Sequence, residues 1–316
     1  MSQPTIAGIH HVTAIAKDAQ LNIDFYVGVL GLRLVKKTVN FDDPGTYHFY
    51  YGDGQGRPGT ILTFFPWRTV GRGRSGSGET AATAFAVPDG QLGFWEERLQ
   101  ANDVAVKRAR RLQEDLLSFR DPEGTSLELV GSDEDQDFQP WADSPVPPAH
   151  AIRGFHSVTL RLAGLEGTAQ LLRDTMGFRE EGEEEGRLRL RGAGDRAALV
   201  DLVPAPGQTR AALGAGSVHH VAWRVPDQNQ QEAWRSQLED SGYNVTPILD
   251  RNYFRSIYFR EPGGVLFEFA TDPPGFTADE PLDQLGRSLK LPKWLEKARP
   301  QIEQALPAVS LPGEKP

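Results

Sequence analysis

Short apolar runs recur along this chain in one fixed order, four times over. IHHVTAIA (residues 9–16) leads into AQLNIDFYVGVLG, where Ile23, Tyr26 and Leu30 fall near helical spacing and Gly31 supplies a stop. TYHFYYGD and GTILTFFPW then read as strands separated by turn residues. The pattern predicts strand, helix, strand, strand, strand. A second copy runs from AATAFAVPD through the helix-like GQLGFWEERLQAND to VAVKRA, LLSFRDPEG and TSLELVG. A third runs from FHSVTLRLAG through GTAQLLRDTMGF to GRLRLRGAG and AALVDLVPA. The fourth opens on HHVAWRVPD, continues through NQQEAWRSQLEDSGY, and ends in VTPILD, RSIYFREPGG and VLFEFATD. Copies two and four close on matching text, SFRDPEGTSLELV against YFREPGGVLFEFA. Repetition at this scale marks one supersecondary unit used four times.

These units predict an α+β protein of four βαβββ modules. Residues 6–131 hold modules 1 and 2, and 151–272 hold modules 3 and 4. The acidic, proline-rich stretch 132–150 between them reads as a linker, and 273–316 as a tail. Within the tail, LPKWLEKARPQIEQAL predicts an amphipathic helix interrupted by Pro300 and packed on the body. The run EEGEEEG, residues 180–186, predicts a solvated loop. Gly54-Gln-Gly-Arg-Pro-Gly59 matches GxGxxG, yet a strand follows it in place of a helix, so a hairpin turn is expected. GRGRSGSGE reads as a flexible connector.

Composition narrows the partners. In 316 residues with a net charge of −9 there is no basic patch of the kind nucleic acid requires. No apolar run approaches the ~20 residues of a membrane-spanning helix, and the N-terminus has no signal-peptide core. Zero cysteines exclude disulfides and thiolate ligands, which fits a cytoplasmic protein. Any metal site must therefore come from His, Asp and Glu. Two matched pairs, His10–His11 and His219–His220, account for more than half of the 7 histidines. Glu268 stands between phenylalanines in LFEFA, where a carboxylate needs a partner or a metal. Glu128 has the same setting, without a histidine in its own unit, and is expected to form a salt bridge.

Four βαβββ units with His near the first strand and Glu in the last resemble the vicinal oxygen chelate superfamily, from Ile6 to Asp272. That resemblance implies two domains, each of two modules whose curved sheets enclose a cavity, with ligands from the first and closing strands. Aligned in this way, module 1 offers His11 and Thr63, module 2 Ala82 and Glu128, module 3 His156 and Asp201, and module 4 His220 and Glu268. Pairing modules 1 with 4 joins His11, His220 and Glu268, with Thr63 too weak for a fourth ligand. It leaves Glu128, His156 and Asp201 as a vestigial site. Pairing in chain order would instead gather His156, His220, Glu268 and Asp201.

HHVT near the start, GTILTFFPW, HHVA and DRNYFRSIYFREPGGVLFEFA resemble the hydroquinone-type ring-cleaving dioxygenases of that superfamily. This favours the 1–4 and 2–3 pairing. It implies Fe(II), with Mn(II) as the alternative, held by His11, His220 and Glu268, and an aromatic substrate opened with O2. It further implies that His10, His219, Arg251 and Tyr258 act near the substrate. Thr13 shares the strand face of His11 and is expected to line the cavity. Phe64, Phe65 and Trp67 are expected as core and cavity wall. Strand alternation sends His10 and His219 to the face opposite their neighbours. A glyoxalase-type isomerase and a non-enzymatic drug-sequestering protein are the rival readings; a homo-oligomer is left open.

Overall fold

The computed structural model describes residues 6–132 and 138–313, so residues 133–137 of the expected linker lie outside it. Module 1 comprises β1 (Ile9–Ala16), α1 (Ala19–Ile23), β2 (Arg33–Asn40), β3 (Asp43–Gly52) and β4 (Ile61–Pro66). Module 2 comprises β5 (Glu79–Val87), α2 (Leu92–Ala101), β6 (Val106–Arg111), β7 (Glu114–Arg120) and β8 (Ser126–Gly131). Module 3 follows with β9 (Gly154–Leu162), α3 (Glu166–Gln170), β10 (Arg179–Glu184), β11 (Arg187–Arg191) and β12 (Leu199–Pro204). Module 4 has β13 (Val218–Val225), α4 (Gln228–Asp240), β14 (Leu249–Asp250), β15 (Arg255–Arg260) and β16 (Leu266–Thr271).

One eight-stranded sheet runs β14-β15-β16-β13-β1-β4-β3-β2, the other β10-β11-β12-β9-β5-β8-β7-β6. Modules 1 and 4 thus share one sheet, and modules 2 and 3 the other. Inside each module the first strand lies parallel to the last, as in β1 beside β4 and β13 beside β16. Modules join through their first strands, β1 antiparallel to β13 and β5 antiparallel to β9.

The helices cover the outer faces with few large residues. On α4, Gln231, Trp234 and Leu238 recur at helical spacing and are buried, while Asp227 caps the first turn by accepting from the Gln230 amide at 2.9 Å. After α1 the chain widens into a π-turn over Asp24–Val29 and stops at Gly31, with φ +71°. A Cβ there would lie 2.6 Å from Val146 Cγ2, so the glycine also lets the linker pack against module 1.

Two sequence expectations need correcting. The acidic run is not a loop: residues 180–184 form most of β10, an edge strand bonded only to β11. An edge tolerates charge because one side faces water, and Arg191 of β11 pairs with Glu181 at 2.6 Å. Pro300 does not interrupt a helix but stands in the first turn of α5 (Arg299–Ala305), where its missing amide costs nothing. That helix packs on the body through Ile302, with Leu306 buried just beyond it, and the Tyr47 hydroxyl donates to Pro307 O at 3.0 Å. The Gly54–Gly59 segment is the expected turn between β3 and β4, with Asp53 Oδ1 accepting from three successive amides. Among the described residues no helix is long and apolar enough to cross a membrane.

Candidate metal centre

His11 on β1, His220 on β13 and Glu268 on β16 come together at the seam of modules 1 and 4. They are the group of His, Asp and Glu side chains among the described residues that could hold a metal ion. All three are buried. Glu268 Oε2 lies 2.8 Å from His220 Nε2 and 3.3 Å from His11 Nε2, and the two nitrogens are 3.3 Å apart. The other carboxylate oxygen accepts from Ser256 Oγ at 2.5 Å. Oε2 itself is buried and has no aligned donor. Burial alone would raise the Glu268 carboxyl, but the two facing imidazoles outweigh it and hold it well below the usual carboxylate range. Three donor atoms converging with no aligned proton at a buried carboxylate oxygen fit a divalent cation.

The doubled histidines have a geometric explanation. In the β1–β13 ladder Ile9 faces Trp223 while His11 faces Ala222, and Thr13 faces His220 while Ala14 faces Val218. His10 and His219 are therefore the extra residues of two β-bulges, one on each strand. A bulge breaks alternation and re-aims a side chain. The expectation that each outer histidine turns away from its neighbour is thereby corrected: His10 Nδ1 meets His11 Nδ1 at 2.9 Å, and His219 Nδ1 meets His220 Nδ1 at 2.8 Å. With the proton of each inner histidine on Nδ1, its Nε2 lone pair is free for a metal. Burial holds His10 well below the imidazole range and His219 at about 3, the charge of the adjacent histidine adding to it, so both are neutral acceptors. Replacing His10 by Phe, with all three donor residues intact, is expected to weaken metal binding by about 10–100-fold. A competition titration against a chelator checks this, and unchanged affinity would refute the role.

The same ladder explains why the fourth position carries no ligand. Thr63 faces Thr13 across β1–β4, as Glu268 faces Ala222 across β13–β16, so Thr63 is the counterpart of Glu268. Its hydroxyl is hydrogen-bonded to Thr13 Oγ1 and His48 Nε2, both at 2.8 Å. Thr13 and Thr63 are both fully buried, and neither lines the cavity. His48, which sequence reading missed, does line the cavity; its Nδ1 is bonded to Tyr50 Oη at 2.9 Å.

A cavity of about 420 Å³ opens onto His11 and His220. Phe65, Trp67, Leu249, Phe254 and Leu266 give it apolar walls, whereas Phe64 belongs to the core. Arg251, Tyr258 and His219 line it; His10 does not. Tyr258 stands opposite Glu268 in the β15–β16 ladder, its ring 5.7 Å from that of His220. Burial and the Glu268 charge push its hydroxyl up, and Arg251 draws it partly back. Arg251 lies over the Tyr258 ring at 5.5 Å and pairs with Asp42 of module 1 at 3.1 Å, bridging the two modules at the cavity.

In the other sheet the equivalent positions hold no metal-ligand set. The β5–β9 ladder steps at Ala81 and at His156, so His156 is a bulge residue equivalent to His10, and Ser157 occupies the ligand position. The alignment that offered His156 as a ligand is corrected by one residue. Arginines neutralise the remaining carboxylates. Arg111 grips Glu128 through both oxygens at 3.0 and 2.5 Å; Arg189 holds Asp201 at 2.7 and 3.0 Å; Arg187 adds a contact to Asp201 at 3.0 Å. His156 pairs with Glu114 at 3.0 Å, and Arg189 reaches the same carboxylate.

The family model described as Glyoxalase/Bleomycin resistance protein/Dioxygenase superfamily matches residues 8–129 and 154–269. A Bacillus subtilis (strain 168) protein named ring-cleaving dioxygenase MhqO is 48% identical over 299 residues, 95% of each chain. Chlorohydroquinone/hydroquinone 1,2-dioxygenase of Sphingobium indicum is 38% identical over 307 residues, covering 94% of this chain and 95% of that one. A crystal structure described as a dioxygenase from Bacillus subtilis superposes with a TM-score of 0.94 at 47% identity, over 98% of this chain and 99% of the other.

Proposed function

This chain belongs to the glyoxalase/bleomycin resistance protein/dioxygenase superfamily, and from that premise we propose that it is a ring-cleaving dioxygenase acting on a dihydroxylated aromatic of the hydroquinone or catechol type. The observation that carries the reading is a three-donor set, His11, His220 and Glu268, beneath an aromatic-walled cavity, with Thr63 where a fourth carboxylate would stand. Two histidines and one carboxylate suit a non-haem iron that must keep open positions. Bound there, Fe(II), or Mn(II) on the same donors, supplies the electron transfer between an electron-rich ring and O2.

The chain's own side chains do the rest. Phe65, Trp67 and Phe254 offer flat apolar faces that seat a ring and exclude water. Arg251 places a fixed positive charge in the cavity, which favours a phenolate over a phenol. Tyr258 keeps its proton because its hydroxyl is pushed up, so it donates a hydrogen bond to a substrate oxygen. His219, neutral and with Nδ1 accepting from His220, lines the cavity from its bulge and presents its Nε2 proton as a hydrogen-bond donor to a substrate oxygen. His10, behind the wall, orients His11.

The test is anaerobic reconstitution with Fe(II), followed by O2 uptake with hydroquinone, catechol and a hemithioacetal in parallel. Uptake with a dihydroxybenzene, reduced in Arg251→Gln, is expected. Isomerisation of the hemithioacetal without O2 would replace the dioxygenase by an isomerase, and binding of aromatics without turnover would make the protein a sequestering module.

A further inference from the structure

A second pocket adjoins the metal cavity. It measures about 260 Å³ and lies between the two sheets, where Gly78 and Thr80 at the start of β5 meet the turn from Arg260 to Leu266. His219 and Leu266 line both this pocket and the metal cavity. Two guanidiniums face it, those of Arg210 and Arg260. Arg210 Nη2 donates to Gly264 O at 3.2 Å and Arg260 Nη1 donates to the same oxygen at 3.0 Å. Neither has a carboxylate partner within salt-bridge distance among the described residues. The acidic side chain in the pocket wall, Glu79, is already committed to Arg161 at 2.5 Å and to Ser75.

The backbone is shaped for this placement. Gly264 has φ +97°, which favours glycine, and a Cβ there would lie 2.2 Å from Arg210 Nη2, so a side chain would displace that guanidinium. Two like charges held on one carbonyl oxygen repel each other and attract an anion. By contrast Arg251, the cation inside the metal cavity, already has Asp42 at 3.1 Å.

We infer that this pocket is a carboxylate-binding site, and that its ligand is the acid formed when the ring opens. This rests on the dioxygenase reading. In that reaction both atoms of O2 enter the product, one ring carbon–carbon bond breaks, and a carboxylic acid and a carbonyl group form. The acid gives its proton to solvent at neutral pH. A neutral substrate thus becomes an anion beside His219, which also lines the pocket that holds Arg210 and Arg260, two guanidiniums with no carboxylate partner among the described residues.

Calorimetric titration of the metal-free protein with cis,cis-muconate, an unsaturated six-carbon dicarboxylate, reads the site without turnover. Binding is expected in the native chain, weakened about tenfold or more in Arg210→Gln/Arg260→Gln, since each charge-assisted contact contributes on the order of a tenfold factor. Arg260→Lys, which keeps the charge, is expected to retain most of it; melting curves confirm that the variants are folded. No binding, or equal binding by the double variant, overturns the site. Hydroquinone-dependent O2 uptake is measured alongside. If uptake is absent while the arginine-dependent muconate binding persists, the anion site stands and its assignment to a ring-opened product is overturned.

Discussion

Replacing His220 by alanine is expected to lower metal affinity by roughly 10²–10³-fold and to abolish O2 uptake at ordinary metal concentrations. The magnitude follows from structural sites that bind with about 10–16 kcal/mol over four ligands, or about 2.5–4 kcal/mol for each. His220 Nε2 is the donor nearest Glu268 Oε2, at 2.8 Å. Its removal also takes one of two imidazoles from a fully buried carboxylate, so the metal-free variant is expected to melt below the native protein. Metal content after gel filtration and thermal melting with and without Fe(II) read the two effects separately. The native chain is expected to gain melting temperature on adding metal, and the variant is not. A variant that keeps its full complement of metal would remove His220 from the ligand set.

The second large effect lies in the other sheet. Arg189→Met is expected to destabilise the fold by about 3–5 kcal/mol, the usual loss when one partner leaves a buried ion network. Arg189 is nearly inaccessible and ties fully buried Asp201 to Glu114, which pairs with His156. At roughly 2–4 °C per kcal/mol for a chain of this size class, the melting temperature falls by about 10 °C. Metal content and turnover per folded molecule are expected to stay native, because no residue of this network lines the metal cavity. A loss of bound metal in this variant would mean that the two sheets are coupled in a way the geometry does not account for.

The two networks occupy equivalent ladder positions. Tyr258 opposite Glu268, Tyr50 opposite Thr63, Ser118 opposite Glu128 and Arg189 opposite Asp201 are four versions of one register. In the first sheet that register gathers donors around an acceptor-rich point. In the second, arginines fill the place and do a cation's electrostatic work with fixed charges.

Much of this was legible from the residues. The repeated HHV openings and LELV or LFEFA closings marked the modules, and the copies retaining both histidines pointed to the 1–4 seam. His11, His220 and Glu268 carried their own local patterns. A β-bulge does not: one extra residue in a strand is a property of the ladder, invisible until the partner strand is known. That is why His10 and His219 were sent to the wrong face and His156 was placed one residue early. His48 was missed because it sits mid-strand in TYHFYYG and meets Thr63 only across the sheet. Nothing local says that Arg111, Arg187 and Arg189 turn inward toward Glu128 and Asp201. β10 was hidden by its composition, because an edge strand needs only one bonded side.

The central claim is that the His11–His220–Glu268 centre opens an aromatic ring with O2. Its most direct test is mass analysis of the product formed from hydroquinone under 18O2 by the Fe(II)-reconstituted protein. The account predicts a ring-opened product bearing both labelled atoms, apart from carbonyl label exchanged with water, and no such product from His220→Ala. Turnover of hydroquinone to an unlabelled product, or to a quinone with the ring intact, would contradict it.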